Sequence, residues 1–430
     1  MNWILLIIFL ISVYAAIAYY IHSRKLWEDH ITFYGPILAV KTNRVGFFDK
    51  FAAFRTFFRI YGTAGLIAVI IVSVFITVML FISVRYTLIV QPEPTGIYKP
   101  QNILLLPGIN EYVPSTLAVW LAFIITIGVH EFGHAILCRV ENIKVKTMGA
   151  LIAVIPIGFF VEPDEEELDK TKGMAKVRMF GAGITNNLVV GFSCFLLLIL
   201  FMGLVTPVSQ PVIQGVYKDY PAASAGIPPG SIVTAVNGVP VASRIDVSTI
   251  LNTTKPGNTL TLTAEKDKIV KDYVLTLSAW PGDIPDRTSG FMGVEYYDGT
   301  AVMTVVQGML SPLGFFQFLI IPFANDSGVQ FLRILAFETP DTVYYQVPFE
   351  GFWGVIHLLF WCAWININVG IFNAIPMVPL DGGYIFKEGV DRLLDRRGLL
   401  KYSGYVTGAV TYLMLVVLVS LIALPYLLHI

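Results

Sequence analysis

The sequence predicts a polytopic α-helical membrane protein of about six transmembrane helices, with a short re-entrant segment and an inserted soluble β-rich domain. Of 430 residues, 55% are hydrophobic and only 14% charged, with a mean hydropathy of +0.70, whereas soluble domains carry about a quarter charged residues. Six apolar runs come close to or exceed the roughly 20 residues needed to cross about 30 Å of hydrocarbon. Between the fourth and the fifth, residues 206–350 turn polar and alternate with β-branched residues, as in Thr259–Thr263 and Tyr273–Leu277, with Gly and Pro turns between them.

The first run, Asn2 to Ile21, has no basic residue before it and Arg24 and Lys25 just after it. That is the reverse of a secretory signal peptide, so it reads as an uncleaved anchor with its N-terminus outside. The others are Gly62–Val84, Thr116–Cys138, Gly181–Val205, Gly351–Ile375 and Ser403–Leu428. Segments 22–60, 139–180 and 384–402 hold seven, seven and five Lys or Arg, while the loop 85–115 holds only Arg85 and Lys99. By the positive-inside rule the basic segments face the cytoplasm, which leaves the long insert extracytoplasmic and points to the cell membrane.

Two apolar stretches are too short to span. Residues 309–323 are broken by Pro312 and Pro322 and read as an interfacial segment. Met148–Val161 is interrupted by Pro156 and Gly158, and irregular backbone at membrane depth persists only where protein or a polar cavity covers it. The acidic run Glu162–Asp169 after it reads as the solvated start of a cytoplasmic helix. The expected divisions are a two-span region with its cytoplasmic loop (1–115), a first core half (116–206), a β-rich domain (207–280) and an extracytoplasmic connector (281–350). A second core half (351–384) and a cytoplasmic amphipathic segment with the last span (385–430) complete the chain.

A formal net charge of −1 gives no electrostatic footprint for nucleic acid. Cys138, Cys194 and Cys362 lie in or beside apolar runs without CxxC spacing, so neither a disulfide framework nor a cysteine metal site is expected.

His130-Glu131-Phe132-Gly133-His134 closes the third run. Three ionisable side chains in a turn of membrane helix are costly, so their default reading is functional. Histidines four apart share a helix face and can reach one tetrahedral ion, and Glu131 is placed to address a water on it. Zinc lowers the pKa of such a water to about 7, which makes this hydrolase chemistry. A catalytic zinc normally has three protein ligands, and His357 and Asp381 are the candidates for the third. His134 lies five residues before Arg139, about 7 Å inside the cytoplasmic boundary, and Asp381 lies six before Lys387 at the same face. His357 would sit about four turns higher, so depth favours Asp381.

HEFGH, followed at long range by Asn373-Ala-Ile-Pro-Met-Val-Pro-Leu-Asp381-Gly-Gly383, resembles the paired signature of the site-2 protease family of intramembrane zinc metalloproteases. The resemblance covers about residues 116–206 and 351–384. It implies His130, His134 and Asp381 as ligands of one zinc ion per chain and Glu131 as catalytic acid and base. It also implies a re-entrant β-hairpin at 148–161 and a catalytic role for Asn373. Gly181-Ala-Gly-Ile-Thr-Asn-Asn187 is similar to the family's Ala-Gly-Pro-x-x-Asn element, with Ile184 in place of proline, and aligns Asn187 with the family asparagine; packing by the small residues is an equal reading. Asn366 and Asn368 read as amides tying helices together.

Within the insert, Tyr220–Gly226 followed by Pro229–Gly238 resembles the core of PDZ domains over about 70 residues, with Gly230-Ser231 where many bacterial relatives have Gly-Asp. Such a domain implies a groove for a peptide ligand. The expected function is cleavage of a transmembrane helix in single-span or other membrane-protein substrates within the lipid bilayer. The rival readings are a metal transporter with a His/Asp-lined path and a catalytically silent PDZ-bearing scaffold.

Overall fold

Backbone in hydrocarbon must satisfy its hydrogen bonds internally, so long apolar runs become helices. The computed structural model describes residues 3–282, 287–323, 330–340 and 343–429. Helix α1 (Trp3–Ser23) leads through strands β1 (Ile31–Tyr34) and β2 (Ile37–Thr42) to α2 (Arg55–Val90). Helix α3 (Leu117–Val140) precedes β3 (Val145–Ala153), β4 (Ile155–Pro163), the short α4 (Glu165–Lys170) and α5 (Met174–Met202). There follow β5 (Thr206–Pro207), β6 (Ile213–Val216), α6 (Pro221–Ser224), β7 (Ile232–Val236), β8 (Val239–Pro240) and α7 (Arg244–Leu251). Strands β9 (Thr259–Lys266), β10 (Ile269–Thr276) and β11 (Val294–Tyr296) lead to α8 (Gly299–Gly308), α9 (Pro312–Ile320) and β12 (Tyr345–Gln346). The chain closes with α10 (Phe352–Asn373), α11 (Asp381–Asp395) and α12 (Ser403–Leu427).

Among the described residues five helices are long and apolar enough to cross a membrane: α2 with the 3-10 segment leading into it, α3, α5, α10, and α12 with its preceding turn. Helix α1 is a further apolar helix of 21 residues. Helix α5 starts at Met174 rather than at the expected Gly181, because its first turns carry Lys176 and Arg178 and so belong to the polar end of the helix rather than to its apolar run. Helices α8 and α9, the second within the expected interfacial segment, meet at 114°, with Pro312 opening α9.

The chain forms two compact units, Met1–Leu196 with Leu358–Ile430, and Leu197–His357. In the first, β1, β2, β3 and β4 form one antiparallel sheet in that order. Strands β3 and β4 are the hairpin expected at 148–161; β1 and β2 were expected only as loop. The hydroxyl of Tyr14 in α1 lies 2.6 Å from the Pro36 carbonyl and 2.9 Å from that of Ile152, tying the helix to both hairpins. Three helices meet at a buried carboxylate: Glu141, with 1% of its side chain exposed, accepts from Arg59 at 2.9 Å and from Arg178 at 2.8 Å.

In the second unit the main sheet has the order β10-β9-β7-β8. Alternation along β9 turns Leu260, Leu262 and Ala264 into a core shared with Val233, Val236 and Leu275. Asn237 and Gly238 both have positive φ, 51° and 76°, as the two-residue hairpin between β7 and β8 requires. Helix α7 and β11 border a hollow of about 600 Å³, where the Arg287 guanidinium lies 4.4 Å over the Trp280 ring.

Candidate metal centre

Helix α3 is started by Thr116, whose hydroxyl accepts from the Val119 amide at 3.4 Å, and it carries His130 and His134 one turn apart. Asp381 opens α11. The turn that delivers it from the end of α10 is tight enough to demand glycine. A Cβ on Gly382 would fall 2.4 Å from the Ala374 carbonyl oxygen, and one on Gly383 would fall 2.4 Å from the Met377 carbonyl carbon.

The two imidazole Nε2 atoms are 3.2 Å apart, and Asp381 Oδ2 is 3.2 Å from each. Ligands held about 2.0–2.1 Å from a tetrahedral ion stand about 3.3 Å from one another. The three atoms therefore mark one face of a zinc-sized tetrahedron. Their proton inventory agrees. His134 Nδ1–H donates to the Met179 carbonyl at 2.9 Å, which leaves Nε2 with a lone pair. Asp381 Oδ2 is buried without a hydrogen-bond donor. Lone pairs and a carboxylate converging in a buried site repel one another unless a cation sits among them.

The Asn187 amide lies 3.2 Å from His130 Nδ1 while its Oδ1 is buried with no partner. Amide oxygen and nitrogen are interchangeable assignments. With Oδ1 turned to the ring it accepts the Nδ1 proton, and His130 Nε2 is left free for a metal. Neighbouring Asn186 donates to the Val129 carbonyl at 2.8 Å and accepts from the Tyr61 hydroxyl at 2.7 Å. Glu131 does not join the three ligands; its Oε2 accepts from the Val161 amide of β4 at 3.0 Å.

The remaining candidates fall elsewhere. His357 Nε2 is 3.1 Å from the carbonyls of both Ile334 and Glu338. The amides of Asn373 and Asn368 donate within α10 to Val369 and Trp364, and Asn366 ties α10 to Thr126 of α3 at 2.7 Å. Gly183 was visible in the sequence only as a small residue, yet it faces the centre: its Cβ would stand 2.5 Å from His134 Nε2 and 2.6 Å from His130 Cε1. Val161 was visible in the sequence only as the last residue of the apolar stretch 148–161.

A helix presenting HExxH to a carboxylate from elsewhere in the chain, with its glutamate held beside them, defines the class of zinc-dependent peptidases. Residues 118–419 match Peptidase family M50, and the chain belongs to that family. It is 27% identical over 253 residues to the zinc metalloprotease RasP of Shouchella clausii, covering 55% of this chain and 56% of that protein. A membrane-bound transcription factor site-2 protease homolog of Arabidopsis thaliana is 25% identical over 190 residues, covering 44% and 36%. The chain thus spans little more than half the length of RasP. A solved PDZ domain, from the SdrC-like protein of Listeria monocytogenes, aligns with 22% of this chain and 93% of its own at 18% identity and a TM-score of 0.19.

Proposed function

We propose that the protein is an intramembrane zinc endopeptidase that cuts a transmembrane helix of another membrane protein near its cytoplasmic end, with one zinc held by His130, His134 and Asp381. The observation that carries this reading is the equal 3.2 Å spacing of the three part-buried candidate ligand atoms, with Glu131 on the same helix. Zinc bound there supplies a Lewis acid for the scissile carbonyl and the attacking water. Glu131 would then act as the general base toward the attacking water and as the general acid toward the leaving amine. Its Oε2 is fixed by Val161, which leaves Oε1 for the proton. The positive-inside count supports an active site at the cytoplasmic face of the cell membrane and an extracytoplasmic insert. The hollow between α7 and β11 supports a peptide ligand for that insert.

Replacing Glu131 by Gln is expected to leave zinc stoichiometry intact and to abolish cleavage of a reconstituted single-span substrate, followed by mass-spectrometric mapping of the products. Continued cleavage would overturn the reading.

Asn187 acts in this scheme as a positioning residue, through His130, rather than on substrate. An Asn187→Ala protein is expected to bind zinc about 10–100-fold more weakly in competition with a chelator. Asn187→Asp, which still accepts from Nδ1–H, should recover most of the loss. Equal affinity in all three proteins would remove Asn187 from the centre.

A further inference from the structure

On the sheet side of α3 lies a hollow of about 390 Å³, bounded by Ile124, Gly128 and Phe132 of the helix and by Met148, Phe159 and Phe160 of the hairpin. It is apolar; among the described residues Glu131, Lys41 and Thr42 are the only polar side chains along its wall. The same Val161 amide that fixes Glu131 belongs to this wall. The hollow therefore begins where the proton-transferring carboxylate is held.

Gly128 gives the hollow its size. Glycine is a poor helix former, and its presence within a helix calls for a reason. Close approach explains Gly133, whose Cβ would fall 2.6 Å from the Ala182 carbonyl oxygen, and it explains Gly183 at the ligands. Neither close approach nor a positive φ explains Gly128: a Cβ there meets nothing within 4 Å. Three residues before Glu131, it shares that residue's face of α3. Any larger side chain at 128 would project into the hollow.

We propose that this hollow receives a large apolar side chain, of the size of Leu or Phe, from the substrate residue flanking the bond that is cut, and that Gly128 sets the size accepted. The proposal rests on the hydrolase reading above. The occupant follows from two features together: an apolar cavity of this volume suits an apolar group, and a side chain lodged against Glu131 brings its own backbone to the carboxylate. A lipid chain would have no need of the carboxylate.

The test uses the full-length, zinc-loaded protein in proteoliposomes and single-span reporters in which each residue flanking the mapped cut is Phe, Leu or Ala. The wild type is expected to prefer Leu or Phe over Ala at one flanking position, measured as kcat/KM. Gly128→Leu should reduce that preference at least about tenfold, and Ile124→Ala, which widens the hollow, should shift it toward Phe. Zinc content establishes that each variant is intact, and Ile124→Ala decides alone if Gly128→Leu does not fold. Cleavage by the wild type with a preference that the variants do not move would overturn the proposal and leave the hydrolase reading standing. Failure of the wild type to cut any reporter would overturn both.

Discussion

Zinc is expected to be absent from a purified Gly183→Ala protein, and cleavage with it. The added methyl carbon would lie 2.5 Å from His134 Nε2 and 2.6–2.7 Å from Cε1 and Nε2 of His130, distances no real carbon contact shows. The rings cannot simply turn away, because His134 is bonded to the Met179 carbonyl and His130 lies against Asn187. Nor can the helices separate, since α3 meets α5 through Gly133 at the Ala182 carbonyl. Glycine to alanine within a helix gains about 1 kcal/mol, but a clash this close costs about 1–3 kcal/mol, so thermal stability in detergent should fall together with bound metal. Stoichiometric zinc in this variant would contradict the placement of Gly183 against the ligands.

Glu141→Ala is expected to cause the largest loss of stability. It removes the partner of two guanidinium groups, one of which, Arg178, has only 14% of its side chain exposed. An uncompensated buried charge costs about 3–5 kcal/mol. The transition should move to markedly lower temperature, and Glu141→Gln, which keeps an acceptor but no charge, should fall between. A loss below about 1 kcal/mol would mean that water reaches Arg178 and that the cluster behaves as a surface pair.

The grouping of His130, His134 and Asp381 was legible because it combines a spacing with a depth. Two histidines four apart name a helix face, and counting residues to the nearest basic side chain places Asp381 level with them and His357 out of reach. The apolar runs declared the spanning helices for the same reason that hydropathy works at all: hydrocarbon permits little else. What escaped was whatever depends on long-range backbone approach. Ile31 to Thr42 carries a hairpin pattern, β-branched and aromatic residues on either side of Gly35-Pro36, but a basic loop offered a simpler account of it. Glu141 received no reading from the sequence, because the two arginines that close on it come from distant segments. Asn373 was expected at the reaction and Asn187 there or equally in packing; Asn187 lies against the His130 ring, while the amide of Asn373 is bonded to its own helix.

The strands at 31–42 stand outside the stretch by which the family is recognised, yet they are hydrogen-bonded to the hairpin that seats Glu131. The unit that heredity marks out is thus smaller than the unit that folds. Trimming the gene to the matched region would strip away half of a sheet and expose the edge of β3 to the solvent or to a neighbouring chain. An investigator seeking a minimal enzyme should draw its border ahead of Tyr14, where the first hairpin is tethered.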